Sequence, residues 1–169
     1  MFLTAELEIR PGGASAALEN RIVLGVGLLG YNASTMRSPV VVSVEDDDGS
    51  YSVLRELLQA AHPDVRVERA RNGSEALKKL NGLAQDANVD IRLVLLDVRL
   101  PGMSGFEVLA AIRDNESLRS VPIVVLTGKA EDADRLACLE KGAQDYVEKP
   151  WDLQGLENVL KAACVRAGL

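Results

Sequence analysis

The sequence predicts an α/β fold: a doubly wound, five-stranded parallel sheet in strand order 2-1-3-4-5, with helices on both faces. Three observations carry that prediction. From residue 39 onward, short apolar runs alternate with amphipathic stretches five times, and strict strand–helix alternation implies parallel strands with right-handed crossovers. The third apolar run, residues 91–96 (IRLVLL), is almost wholly apolar, as a central strand covered on both faces must be. Five such units form an open sheet whose ligand crevice lies beyond the carboxyl ends of the strands, at the switch point between strands 1 and 3.

Each element has its own local cause. Residues 40–44 form an apolar run that stops at the acids Glu45, Asp46, Asp47 and Asp48. Residues 51–61 then place Val53, Leu54, Leu57, Leu58 and Ala61 at helical spacing. Residues 65–70 (VRVERA) alternate with period two, as a strand with one wetter face does. Asn72 can cap the second helix, with Glu75 three residues on and Ala76, Leu77 and Leu80 behind it. Strand 3 ends at Asp97, residues 101–105 (PGMSG) read as a loop, and residues 106–112 resume a helical pattern. Strand 4 covers 122–127 and a helix 131–140, closed by a cation and a glycine, Lys141 and Gly142. A short fifth strand at 145–148 leads through Lys149 and Pro150 to a last helix over Leu153, Leu156, Val159, Leu160 and Ala163.

Composition narrows the function. The 169 residues carry a formal net charge of −6, with 47% hydrophobic and 26% charged residues. That length suits one ordinary domain, and the acidic balance argues against nucleic acid or a membrane surface as partner. The two cysteines, Cys138 and Cys164, are far apart and only one histidine, His62, accompanies them. They make neither a disulfide framework nor a zinc site, which points to the cytoplasm, and they read as small hydrophobes in amphipathic helices. His62 reads as a helix-end residue and Met103 as packing. Residues 1–38 follow no strand–helix rhythm and form an N-terminal extension ahead of the 39–169 domain. Within it, residues 22–31 are apolar but too short to span a bilayer, and the acidic lead is wrong for a signal peptide. Met36 stands where such a domain would naturally begin, so the first 35 residues read either as an over-extended start or as a tail that packs or binds a partner.

The strand ends deliver the chemistry. Strand 1 brings Glu45 and Asp46 to the crevice, strand 3 Asp97, strand 4 Thr127, and Lys149 follows strand 5. Carboxylates gathered in one concavity repel unless a cation sits among them. Oxygen donors with room for water suit Mg²⁺. A metal, a carboxylate nucleophile, a lysine and a hydroxyl are the parts needed to take up a phosphoryl group, where positioning and charge neutralisation supply most of the catalysis. Taken singly, each residue has a plainer reading: a strand-end Asp as a turn or cap, Lys-Pro as a loop, Thr127 as a strand residue. Their joint arrival at one switch point favours the functional reading.

Four segments in order, Val-Val-Ser-Val-Glu-Asp-Asp (41–47), Leu-Leu-Asp-Val-Arg-Leu-Pro-Gly-Met-Ser-Gly (95–105), Ile-Val-Val-Leu-Thr-Gly (123–128) and Gly-Ala-Gln-Asp-Tyr-Val-Glu-Lys-Pro (142–150), resemble the receiver domain of two-component response regulators, a flavodoxin-like family. The resemblance covers residues 39–166. It implies that Asp97 is the phosphoacceptor, taking its phosphoryl group from a phosphohistidine on a sensor kinase or phosphotransfer protein, or from acetyl phosphate. It implies direct Mg²⁺ binding by Asp46 and Asp97, binding through water by Glu45, and a metal ligand in the backbone carbonyl of Arg99. Thr127 and Lys149 would hold phosphoryl oxygens, the Lys149–Pro150 bond would be cis, and Tyr146 would be the switch aromatic that turns inward as Thr127 shifts. The signal would emerge on the surface of helix 4, strand 5 and helix 5.

Some positions depart from the commonest pattern. Glu45 stands in place of a first aspartate, Gly128 leaves the site open, and Arg99 and Lys129 flank it where side chains tune the phosphoryl lifetime. Asp47 and Asp48 read as a solvated loop or helix cap. Trp151 is expected to pack at a helix start and to report on the site optically. Nineteen residues follow Pro150, so the expectation is a stand-alone receiver, a monomer or weak dimer without an output module, acting on a protein target or passing its phosphoryl group onward. It would catalyse its own phosphorylation and dephosphorylation but turn over no external substrate. Three rivals stand beside it. A pseudo-receiver would keep the fold without phosphorylation. An Mg²⁺-dependent aspartyl phosphatase would need its nucleophile on the first strand and a second Asp two residues on, where Asp97 is followed by Arg99. A flavin carrier would need a phosphate loop where Glu45, Asp46 and Asp47 would repel the phosphate.

Overall fold

The computed structural model describes residues 37–128, 131–150 and 152–169. The expected N-terminal extension, up to residue 36, and the expectations for Lys129 and Trp151 lie outside the described residues. The elements alternate without exception: β1 (Ser38–Val44), α1 (Asp48–Ala61), β2 (Arg66–Ala70), α2 (Gly73–Ala84), β3 (Val89–Asp97), α3 (Gly105–Asp114), β4 (Ile123–Thr127), α4 (Asp132–Glu140), β5 (Asp145–Glu148) and α5 (Leu153–Arg166). The five strands run parallel in the order β2-β1-β3-β4-β5, as the alternation predicts.

The central strands divide two cores. On one face Leu54 and Leu58 of α1 and Leu160, Ala163 and Cys164 of α5 pack on Val41, Leu93, Leu95, Val124 and Leu126. On the other, Ala76 and Leu80 of α2, Val108, Leu109 and Ile112 of α3 and Cys138 of α4 pack on Val40, Val42, Val94, Leu96 and Val125. Side chains alternate between faces along each strand, so an unbroken apolar run is what two-sided burial demands. Both cysteines are buried free thiols. Burial raises both thiols, Cys138 to about 11, which leaves them un-ionised packing groups.

Several boundaries move from their sequence positions, each for a local reason. β1 begins at Ser38, two residues before the expected strand at 40–44, because Ser38 and Pro39 pair with Val89 and Asp90 and lengthen β3 toward its amino end as well. The register slips between Val40, opposite Ile91, and Val41, opposite Leu93. α1 starts one turn early: Asp47 is its N-cap, accepting from the Ser50 amide at 2.7 Å, so the polar Asp48-Gly49-Ser50 turn is helical. Asn72 caps α2 as its sequence predicts, accepting from the Glu75 amide at 2.9 Å. α3 opens with a full capping box between Ser104 and Glu107. Gly142 ends α4 in the left-handed region at φ +89°, the conformation glycine adopts without a Cβ penalty. Its carbonyl accepts two bonds from Arg113, which also donates to the Val121 carbonyl and so ties α3 to both ends of the β4–α4 unit. His62 is the C-cap of α1, and Met103 packs partly buried against the core.

Candidate functional site

Parallel register places the strand ends level. Val44 lies opposite Leu96, Asp97 opposite Leu126, and Thr127 opposite Glu148. The residues that end or follow these strands therefore form one row along the carboxyl edge of the sheet. Three of them are polar and yet buried: Glu45 is 3% exposed, Asp97 8% and Thr127 1%. Buried polar groups of this kind need partners.

Lys149 is that partner for the two carboxylates. Its backbone N–H donates to the Thr127 carbonyl at 2.7 Å, which holds the residue against β4 just past β5. From there its Nζ reaches Glu45 Oε2 and Asp97 Oδ2, each at 2.5 Å. Asp97 is fixed at its other oxygen, where Oδ1 accepts from the Arg99 N–H at 2.9 Å. Glu45 Oε1 accepts from the Asp47 N–H at 3.3 Å. Burial pushes the Glu45 carboxyl above its usual range and the neighbouring Asp97 adds to the rise, while Lys149 offsets only part of it. For Lys149 itself burial pulls downward, but the Asp97 and Glu45 carboxylates together outweigh it and hold the ammonium above its ordinary value.

The phosphoacceptor candidate is held from behind as well. Gly105, the first residue of α3, donates to the Val98 carbonyl at 2.9 Å and lies so close that a Cβ would sit 2.3 Å from the Asp97 carbonyl oxygen and 2.7 Å from the Val98 Cα. Those are backbone atoms at the end of a buried strand and cannot turn away. Gly105→Ala is therefore expected to cost about 1–3 kcal/mol in urea unfolding. Gly82→Ala, on an open face of α2 with nothing within 4 Å, is expected to be neutral or stabilising by up to about 1 kcal/mol. Equal unfolding midpoints for the two variants would remove the steric argument.

The remaining expected site residues fall around this centre. Asp46 is exposed on the loop after β1. Arg99 is exposed, and its N–H is the group on Asp97. Tyr146 is already turned into the core, 1% exposed. Burial raises its phenol, while the Glu131 backbone and the Thr127 side chain pull the other way. The hydroxyl nevertheless completes no well-formed hydrogen bond among the described residues. The expected cis bond at Lys149–Pro150 is corrected: no peptide bond among the described residues is cis. An X–Pro bond prefers trans by only about 0.5–1 kcal/mol, so the surroundings decide, and here the Lys149 ammonium reaches both carboxylates with the bond trans.

Among the described residues no three His, Cys, Asp or Glu side chains converge closely enough to cage a metal. The donor chemistry nonetheless fits a small hard cation: oxygen only, with two buried carboxylates already bridged by a positive charge and the exposed Asp46 on the same loop. Beside this centre a groove of about 300 Å³ runs between α1 and α5, lined by Ser50, Val53, Lys149, Pro150, Leu153 and Leu156. A larger cavity, about 450 Å³, lies at the opposite end of the strands around Arg37, Asp90, Arg92 and Pro122, away from this chemistry.

Sequence reasoning did not anticipate three neighbours of the site: Gly105 as a spacer behind Asp97, the Ser104–Glu107 capping box, and Arg69, whose guanidinium donates to the Glu45 and Asp46 carbonyls. The capping box was readable in the Ser-x-x-Glu spacing. The other two depend on what the fold brings together.

Residues 41–161 match the response regulator receiver domain. The chain belongs to this family. As a receiver domain of two-component signalling it is 37% identical over 128 residues to the transcriptional regulatory protein AfsQ1 of Streptomyces coelicolor, covering 76% of this chain and 52% of that one. It is 34% identical over 110 residues to the polar-differentiation response regulator DivK of Brucella anthropi, covering 65% of this chain and 83% of that one. The receiver spans about half the length of most of the curated relatives it matches. Among solved structures, the Mn²⁺-bound response regulator Rcp1 superposes with a TM-score of 0.64 at 31% identity, over 73% of this chain and 89% of that one. The chemotaxis protein CheY4 of Vibrio cholerae gives 0.63 at 27% identity, over 76% and 99%.

Proposed function

We propose that this receiver is a phosphoacceptor switch, taking a phosphoryl group onto Asp97 from a phosphohistidine of a sensor kinase or phosphotransfer protein. The observation that carries the proposal is the setting of Asp97: a buried carboxylate at the switch point, with one oxygen on the Lys149 ammonium and the other on the Arg99 N–H. Those two donors aim the carboxylate and limit its freedom, which is the positioning that phosphoryl transfer requires.

In the reaction a carboxylate oxygen of Asp97 forms a bond to phosphorus as the phosphorus–nitrogen bond of the phosphohistidine breaks. The electron pair of that bond returns to the imidazole nitrogen, and the product is an acyl phosphate. Lys149 and Thr127, which arrive from the β4–β5 side of Asp97, would donate hydrogen bonds to the new phosphoryl oxygens. Asp46, Asp97, Glu45 and the Arg99 carbonyl are the groups that would hold Mg²⁺, which when bound neutralises charge on the phosphoryl oxygens. Tyr146, beside Thr127 and the residue before α4, would pass a shift of Thr127 to the surface of α4, β5 and α5, where a protein target would read it. The groove between α1 and α5, with Leu153 65% exposed, gives an apolar approach for a partner helix beside the acceptor. The chain would turn over no external substrate.

The test is intact mass and peptide mapping after acetyl phosphate, or a phosphorylated phosphotransfer domain, with and without Mg²⁺. One phosphoryl group, dependent on Mg²⁺ and mapped to Asp97, is the expected result. No gain from either donor would leave a receiver that interacts without phosphorylation.

A further inference from the structure

Arg69 sits near the carboxyl end of β2, opposite Ser43 of β1, and its guanidinium reaches into the loop that carries the acids. Nε donates to the Glu45 carbonyl and Nη2 to the Asp46 carbonyl, each at 2.9 Å. Nη1 pairs with the Asp48 carboxylate, which Arg71 also contacts at 2.6 Å. The guanidinium lies 4.7 Å from the centroid of the Tyr51 ring on α1, and only 12% of the Arg69 side chain is exposed. One planar group thus grips two consecutive peptide units, is neutralised by an acid of α1, and rests on an aromatic face.

The loop needs such a grip. The Glu45 N–H still bonds to the Ala70 carbonyl at 2.9 Å, continuing the sheet, and Asp47 already caps α1. Between them the chain leaves the strand and enters the helix within three residues, and Asp46 lies exposed at the turn. A guanidinium has five donors in a fixed plane and can hold two adjacent carbonyls at once; a lysine ammonium is a point charge without that fork.

We propose that Arg69 is a positioning residue for the phosphoryl-transfer site, fixing the peptide units that aim Glu45 and Asp46 and thereby setting the affinity for the divalent cation. The inference rests on the reading of those two acids as metal-holding groups. It makes a prediction opposite in sign to simple electrostatics. A cation beside a cation site disfavours the dication, so on charge alone removing Arg69 would tighten Mg²⁺ binding. Positioning requires that removal weaken it.

The experiment titrates Mg²⁺ calorimetrically into the full chain, without phosphodonor, for wild type, Arg69→Met and Arg69→Lys, and follows amide hydrogen exchange over residues 45–48. Both variants are expected to bind Mg²⁺ about 10-fold more weakly, the lower range for loss of a group that orients metal ligands. Exchange over 45–48 should quicken while β3 and β4 keep their protection. Unchanged or tighter binding in Arg69→Met, or full recovery in Arg69→Lys, overturns the proposal. Arg69→Lys keeps the stem and charge and carries the test should Arg69→Met fail to fold. A wild type that binds no Mg²⁺ overturns the reading of the site and the inference with it. A wild type that binds Mg²⁺ beside an equally competent Arg69→Met overturns the inference alone.

Discussion

Asp97→Asn is expected to fold normally and take up no phosphoryl group. The amide has nearly the shape of the carboxylate, so its oxygen can still accept from the Arg99 N–H, and Lys149 keeps its contact with Glu45. What disappears is the anionic oxygen that attacks phosphorus; a neutral amide is no nucleophile for this step. Stability should change by no more than about 1 kcal/mol, because the lost attraction to Lys149 is offset by the lost repulsion from Glu45. Intact mass against time with acetyl phosphate and Mg²⁺ reads the chemistry, and urea unfolding reads the fold. A well-folded Asp97→Asn that gains a phosphoryl group at the wild-type rate would move the acceptor elsewhere, with the exposed Asp46 the first residue to map.

The fold and the centre of the site could be read from the sequence because both follow from where apolar runs stop. Val44, Leu96 and Leu126 are buried, and the residues just after them, Glu45, Asp97 and Thr127, are polar. In a parallel sheet those stops fall on one edge, so the topology alone gathers them, and Lys149 arrives there by the same rule. The exposed partners were less legible. Arg69 shares the face of Val65 and Val67 in the alternating strand, an odd place for a cation, but the alternation does not say what it holds. Its role depends on the parallel pairing that sets it beside Ser43 and on a ring from α1, neither of which is a local property of residues 65–70.

Two other differences have the same origin. The start of α1 was hidden because Asp48, Gly49 and Ser50 supply no apolar residue to the helical pattern, while the Asp47 cap satisfies the Ser50 amide in their place. The isomer at Lys149–Pro150 is not legible in the sequence, because proline leaves the two forms close in energy and no neighbouring residue type decides between them. Periodicity reports on burial; caps, clamps and isomers are set by single polar contacts, which leave no period.

Lys149→Met is expected to be the most destabilising single substitution at the site, and the loss should depend on pH. One ammonium serves two carboxylates whose side chains are 5% and 10% exposed. Removing one partner of a fully buried pair costs roughly 3–5 kcal/mol, because the other charge is left unpaired in a poor solvent. Lys149 keeps 21% of its own side-chain exposure, so about 2–3 kcal/mol at pH 7 is expected. The sign of the pH dependence follows from Glu45. Its native carboxyl is already raised above its ordinary value of 4.5 by burial, and without Lys149 only the raising influences and the Asp47 N–H remain, so it rises further. The native state then holds this proton more tightly than the unfolded chain. Stability of the variant should therefore climb as the pH falls through the raised value toward 4.5, and the gap from wild type should narrow on acidification. In the wild type, Lys149 adds a second limb: its stabilisation is complete below its unfolded value of 10.5 and is lost as the pH rises through its raised native value. Mg²⁺ should stabilise the variant more than the wild type, since the dication takes over the neutralisation that the ammonium provided. Urea unfolding of both proteins between pH 5 and 8 (about the usual stability window), with and without Mg²⁺, tests the Glu45 limb and the Mg²⁺ effect, and unfolding of the wild type above pH 10.5 tests the Lys149 limb. A difference that stays constant over that range would mean that Glu45 and Asp97 do not depend on Lys149 for their charge balance.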